Sequence, residues 1–403
     1  MRRWRYLVLV SIGVLSTVCL VVGWRLGQWP LLLAGSAGGT LAGVRLATLR
    51  RKARSPQTTA SGPERSRRPP AGKRGAALSE SDSLVAEMLA QGRVTLLLRP
   101  QIAATLSEAQ WVAAKSILEE AMALVPEGEV VLGQIDEALE DGRLDTRELA
   151  ACQGPIVRVG SFFIDRYPVT NSQFREFVQA GGYQQVAMWD QAIWPAVLDF
   201  TDRSGQPAPR YWLNGSCEKG QEDHPVVGVT YYEASAYARW AGKRLVSDAE
   251  WVKAGSWPVS AGPGVRQQRR YPWGETMDRR LANVWGSGPA GVVAVGQYSE
   301  GVSVGGVFQL IGNVWEWTSG NYRGPRPGED LILPVPMKTI RGGAYDTYFD
   351  NQATCHFASG ENPMSRKHNI GFRCAIGLCD LTLTRTSAAR GAPQSPCPEE
   401  AMA

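Results

Sequence analysis

Apolar positions fall into three textures along this chain. Tyr6 to Trp24 is a run of 19 residues without a charge, long enough to cross the hydrocarbon core of a bilayer as a helix. A secretory signal would have a shorter apolar core and a small-x-small cleavage site, whereas Arg25-Leu26-Gly27-Gln28-Trp29-Pro30 follows here. Trp29 to Leu49 is a second, weaker stretch, rich in Gly and Ala, and its Arg45 can snorkel to an interface. Residues 1–50 therefore predict a transmembrane helical hairpin with spans at about 6–24 and 29–49. Residues 51–80 have almost nothing apolar to bury and predict a disordered basic linker.

The second texture is a helical segment over 81–122. Ser107 and Gln110 form a capping-box pattern, and Trp111, Ala114, Ile117, Leu118 and Ala121 share one stripe. That stripe is expected to pack on the domain that follows. From 123 to 378 the pattern changes to short apolar runs broken by Gly, Pro and Asn. Helices are predicted at Tyr231–Ala241, with Ala234, Tyr237, Ala238 and Ala241 on one face, and from about Asn171 to Ala180. The remainder reads as short strands and long ordered loops, an irregular α+β domain. Residues 379–403 are low in apolar content and predict a disordered tail.

Charge divides the chain in the same place. The net +5 conceals 14 Lys+Arg against one acid, Glu64, in residues 1–75, so everything after Gly75 is net acidic. Arg2, Arg3 and Arg5 precede the first span and Arg50, Arg51, Lys52 and Arg54 follow the second, with only Arg25 between. This bias predicts an inner, cytoplasmic membrane with both ends and the domain on the cytoplasmic side; a single span would instead export the domain. The basic tether suits anionic headgroups. Nucleic acid is not an expected partner, since no aromatics interleave with the bases.

The seven cysteines include no CxxC pair, which excludes a disulfide scaffold and a zinc knuckle. Three histidines, His224, His356 and His368, limit any histidine metal site. Glu137, Asp141, Gly142, Asp145 and Glu148 fall at EF-hand places, but Leu139 removes the third ligand, so this stretch reads as an ordinary acidic loop.

Motifs recur through the globular half: Leu124 to Gly133, Phe162 to Asn171, His224 to Tyr231, Trp240 to Trp251, Tyr271-Pro272-Trp273-Gly274, Gly312 to Ser319, Arg341 to Tyr345 and Asn369 to Ala375. In this order they resemble the formylglycine-generating-enzyme, or sulfatase-modifying-factor, family, whose domain is similar to a C-type-lectin-like fold. The oxidase members bind copper(I) through two cysteines shortly after an ArgGlyGlySer-type motif, a soft thiolate site. Here Arg341-Gly342-Gly343-Ala344-Tyr345 is followed by no cysteine until Cys355. Cys355 and Cys374 match two structural cysteines of the family, whose disulfide partners, further upstream, would fall near Ala238 and Gly255. The resemblance thus implies a member without the catalytic thiols, and no copper. The sulfoxide-synthase branch takes iron on three histidines in a separate helical domain; no iron is expected here either.

The resemblance implies calcium at Gln309, Gly312, Val314 and Glu316, and a second site at Asn283 and Val284 that lacks its downstream acid. The other reading is that Asn313, Trp315 and Glu316 close a loop without metal. The family's ligand-contacting surface maps to Tyr345, Tyr348, Phe349, Asn351, Asn362 and Arg366, a polar and aromatic mixture suited to a protein, peptide or polar ligand. Two functions follow as expectations. One is a membrane-anchored, non-catalytic binding or scaffolding module. The other is an enzyme of altered chemistry, oxidase or sulfatase-modifying in type, with Asp346, Asp350, Cys355 or His356 as weak candidates for its reactive groups.

Overall fold

The computed structural model describes residues 80–133, 154–262, 265–324 and 335–385, and within them four helices open on a reciprocal capping box. They are Glu108–Ala121, Asn171–Gln179, Tyr231–Trp240 and Asp248–Ser256. Ser107, Thr170, Thr230 and Ser247 each accept from the third backbone N–H of their helix, and Gln110, Gln173, Glu233 and Glu250 reach back. Each device satisfies two donors that a helix start otherwise leaves bare. The predicted helices at 171 and 231 are observed to within one residue; the helix at 248 had not been expected.

The strands, in chain order, are β1 Met122–Val125, β2 Gly128–Val131, β3 Ile156–Val159, β4 Phe162–Asp165, β5 Arg244–Leu245, β6 Val259–Gly262, β7 Val265–Gln267, β8 Trp315–Tyr322, β9 Met337–Arg341, β10 Ala358–Glu361, β11 Ile370–Phe372 and β12 Cys374–Gly377. One four-stranded sheet runs β1-β4-β12-β5 and is antiparallel throughout. The other runs β10-β9-β8-β11, with β11 parallel to β8. β2 and β3 pair alone, as do β6 and β7. The mixed α+β expectation holds.

The apolar residues fill three buried clusters. The first is aromatic: Phe174 stacks on Tyr237 at 5.4 Å and meets Phe177 edge-on at 5.3 Å. The second surrounds Trp251, Ile164 and Leu310. The third joins Trp111, Ala114 and Leu118 of the 108–121 helix to Phe163 and Ile376 of the first sheet, so that helix packs on the domain as its stripe predicted. Ala121 is the exception and is exposed.

The tail needs one correction. Residues 379–385 are packed: Leu381 is buried, Thr382 N–H donates to the Leu98 carbonyl at 2.8 Å, and Trp111 Nε1 donates to the Thr382 carbonyl at 3.1 Å. Leu381, Leu383 and paired backbone groups here outweigh a polar average composition. The predicted spans at 6–24 and 29–49, the linker to residue 79 and the acidic loop 137–148 lie outside the described residues. Among the described residues no helix is long and apolar enough to cross a membrane.

Candidate functional site

Two tight backbone passages build the surface after Arg341. Gly342 and Gly343 have φ of 96° and 77°, and a Cβ on Gly342 would stand 2.5 Å from the Leu310 carbonyl oxygen, so only glycine lets the two loops meet. Arg341 anchors the end of β9 by a two-armed ion pair to Asp248, 2.7 Å on each arm, and donates to the His356 carbonyl at 3.1 Å. The other passage is Gly312-Asn313, at φ 79° and 65°. Asn313 exchanges bonds with Val293 and also meets Asn283 and Gln309, which staples the loop to its neighbours.

These passages bring Tyr345, Asp346, His368 and Asn369 together. Tyr345 N–H donates to the Asn313 carbonyl at 3.1 Å. Asn369 leads into β11, and its carbonyl accepts from Trp315 N–H at 2.8 Å where β11 meets β8. Asn369 Nδ2 lies 3.1 and 3.0 Å from the two oxygens of Asp346, and His368 Nε2 lies 3.6 Å away. Asp346 has no Lys or Arg partner among the described residues. Asn369 Oδ1 is buried with no donor. The Tyr345 phenol is pushed up, mostly by burial and further by the Asp346 charge. The result is a partly exposed carboxylate held by a neutral amide, beside an imidazole that is 58% exposed.

Beside it, Trp285, Tyr348 and Phe349 are exposed; Trp285 lies tilted against Tyr348 at 6.3 Å, and Tyr348 meets Phe349 edge-on at 5.1 Å. Asn351 is exposed on the same rim. Asp350 does not offer a bare carboxylate, because Arg279 pairs with it at 2.6 Å.

Several expected site residues have other duties. Cys355 and His356 are buried. His356 bonds to the Arg269 carbonyl at 3.1 Å, and burial with the Arg341 charge lowers its pKa to about 4. Neither reaches the Asp346 surface. Arg366 also turns inward: it donates to the carbonyls of Gly228, Thr201 and Ala208 and pairs with buried Glu233 at 2.9 Å. Asn362 Oδ1 caps its own turn by accepting from Met364 N–H at 2.9 Å. Cys355 and Cys374 are not in disulfides.

Most of the oxygens that the resemblance assigned to calcium are already engaged, though Asn283 Oδ1 is buried without a donor. Glu316 accepts from Arg373 at 2.7 and 2.8 Å and from Trp251 Nε1 at 2.8 Å. Gln309 Oε1 accepts from Asn313, and the Gly312 carbonyl from Val314 N–H. The Asn283 carbonyl accepts from Asn313 N–H at 2.7 Å. Arg373 supplies the positive charge at Glu316, so that carboxylate as arranged does not fit a divalent ion. Among the described residues no three His, Cys, Asp or Glu side chains gather as a metal cluster.

The fold and this surface define a domain of the sulfatase-modifying class. The chain belongs to that family: the profile for the sulfatase-modifying factor enzyme 1-like domain matches residues 108–378, more than half of the chain. It is 40% identical over 215 residues to a hercynine oxygenase of Mycolicibacterium smegmatis, covering 51% of this chain and 46% of the relative. Against the mouse inactive C-alpha-formylglycine-generating enzyme 2 it is 31% identical over 287 residues, covering 63% and 85%. PvdO from Pseudomonas aeruginosa aligns with a TM-score of 0.42 at 24% identity, covering 64% of this chain and 94% of that one. The chain spans about half the length of the hercynine oxygenases it matches. Because those relatives are named as oxygenases, the comparisons lend no support to a purely scaffolding role.

His368 and Asn369 were missed as site residues. The available signal was their position immediately before Gly371-Phe372-Arg373, which carries them to the edge of β11 beside the Arg341 loop.

Proposed function

We propose that the domain is an enzyme of altered chemistry that binds a positively charged, hydrogen-bond-donating substrate over Asp346, Asn369 and His368. The observation that carries this is Asp346 itself, a partly exposed carboxylate with a neutral amide partner and no Lys or Arg partner among the described residues. A cation bound there compensates the carboxylate, and Tyr345 supplies an aromatic flank. His368, against the carboxylate, is placed to take or return a proton. Thiolate–copper chemistry is not assigned, since the first cysteine after Gly343 is buried Cys355.

A second reading, oxygenase-type chemistry, is favoured by the 40% identity to a hercynine oxygenase. Titrating the full-length protein with hercynine and with arginine amide, while recording oxygen uptake, separates the two. Saturable binding without oxygen uptake supports the first reading, and substrate-dependent uptake supports the second. Failure of both cations to bind contradicts the first.

Residues 6–24 and 29–49 are proposed to tether the domain to the cytoplasmic face of a membrane. A phosphatase that works only when exported, fused after Gly75, should then stay in the cytoplasm and be inactive; an active fusion would reverse the orientation.

A further inference from the structure

Two lysines of the domain, one half-buried and one buried, have opposite surroundings. Lys243 meets Asp165 Oδ1 at 2.6 Å. Burial opposes its charge, but the carboxylate outweighs burial and its pKa rises. Lys253, in the helix Asp248–Ser256, is 5% exposed and donates to the Pro126 carbonyl. No carboxylate lies within ion-pair distance of it among the described residues. An ammonium taken from water without an anion is strongly disfavoured, and such a lysine lowers its pKa instead. Burial brings Lys253 down to about 8, with Glu127 and Glu250 offsetting only part of the effect.

The amine also has somewhere to act. Lys253 lines a cavity of about 440 Å³ with Pro126, Glu127, Glu129, Arg158 and Trp257. Gly128 lies alongside Nζ, where a Cβ would stand 3.5 Å away in ordinary contact. The Trp257 wall is fixed: its backbone is left-handed at φ 43°, its N–H bonds to the Lys253 carbonyl at 3.0 Å, and its ring covers Gly305. A non-glycine residue held in that region is a strained conformation that the surroundings must impose. The residues lining this cavity are not those around Asp346.

We propose that Lys253 is a reactive amine and that this cavity admits a small aldehyde, which Lys253 captures as an imine. The Nζ lone pair attacks the carbonyl carbon and forms the C–N bond, while the carbonyl oxygen takes a proton. Loss of water from that adduct, with the second N–H proton leaving, gives the imine. No oxidant or reductant is consumed. Trp257 offers a face for an aromatic aldehyde, and Arg158 at the rim suits an anionic substituent.

The test uses the full-length protein with pyridoxal near neutral pH. Imines are fixed with borohydride, and each lysine is followed by peptide mass spectrometry. Lys253 should be modified about tenfold faster than exposed Lys219, because a larger share of its amine is neutral than in an ordinary surface lysine. Its rate should level off as pH passes 8 and saturate with aldehyde concentration. Lys253→Arg should remove the fast phase and leave the other lysines unchanged. Modification of Lys253 no faster than Lys219 in the unaltered protein would overturn the proposal, whatever the variant does.

Discussion

Glu316 and Arg373 form a two-armed ion pair inside the domain: Nε reaches Oε2 at 2.8 Å and Nη2 reaches Oε1 at 2.7 Å, with both side chains at most 1% exposed. Glu316 lies on β8, and Arg373 lies between β11 and β12, so the pair ties the two four-stranded sheets at the point where the chain passes between them. Arg373 also donates to the Asp165 and Phe308 carbonyls. The position where calcium was expected is thus organised around an internal cation.

Breaking a buried pair by removing one partner leaves a charge without compensation, at a cost of roughly 3–5 kcal/mol. Glu316→Gln should therefore lose about that much stability in urea denaturation. The double variant Glu316→Leu, Arg373→Met should recover part of the loss. Millimolar calcium should leave the midpoint of thermal unfolding unchanged; a rise of several degrees would mean that the ion displaces Arg373.

His356 predicts an acid limit to stability. Its folded pKa of about 4 lies below the unfolded value near 6.5. Between these values the unfolded chain binds more protons, so stability rises with pH. The contribution is complete above about pH 6.5 and is lost as pH falls toward 4, a change of about 3 kcal/mol. Urea denaturation at intervals over this range should show that slope, and His356→Gln should flatten it.

Gly255 stands opposite Cys355, and a Cβ built there lies 3.0 Å from Cys355 Sγ. That spacing suits a disulfide, and the resemblance placed a bridging partner near Gly255. Gly255→Cys should form the bridge on mild oxidation and stabilise the oxidised protein by roughly 2–4 kcal/mol. Non-reducing peptide mapping and thermal unfolding with and without reductant check it. A variant that stays reduced would show that the helix end and the Cys355 loop do not approach as described.

The helices beginning after Ser107, Thr170 and Thr230 were legible because capping and apolar spacing are local signals. The helix after Ser247 carries the same box, but the box and Trp251 lay within a stretch read only as a family motif, and the apolar Val252 and Ala254 that follow are too short a pattern by themselves. Arg366 shows what sequence cannot display. It looked like a ligand contact because a charged residue near a binding loop is ordinarily exposed, but its partner Glu233 is 133 residues away. The Asp346–Asn369 contact, across 23 residues, depends on the pairing of β11 with β8 and was hidden for the same reason. The ordered end at Leu381 depends on Leu98 and Trp111, again distant in sequence.

The most direct test of the Asp346 site is calorimetric titration of the full-length protein and its Asp346→Asn variant with arginine amide and hercynine. Asp346→Asn keeps the shape and removes the charge, so cation affinity should fall about tenfold or more, consistent with loss of a charge-assisted contact of about 1.5–3 kcal/mol. Equal affinity in the two proteins would contradict the assignment of Asp346 as the cation-binding carboxylate.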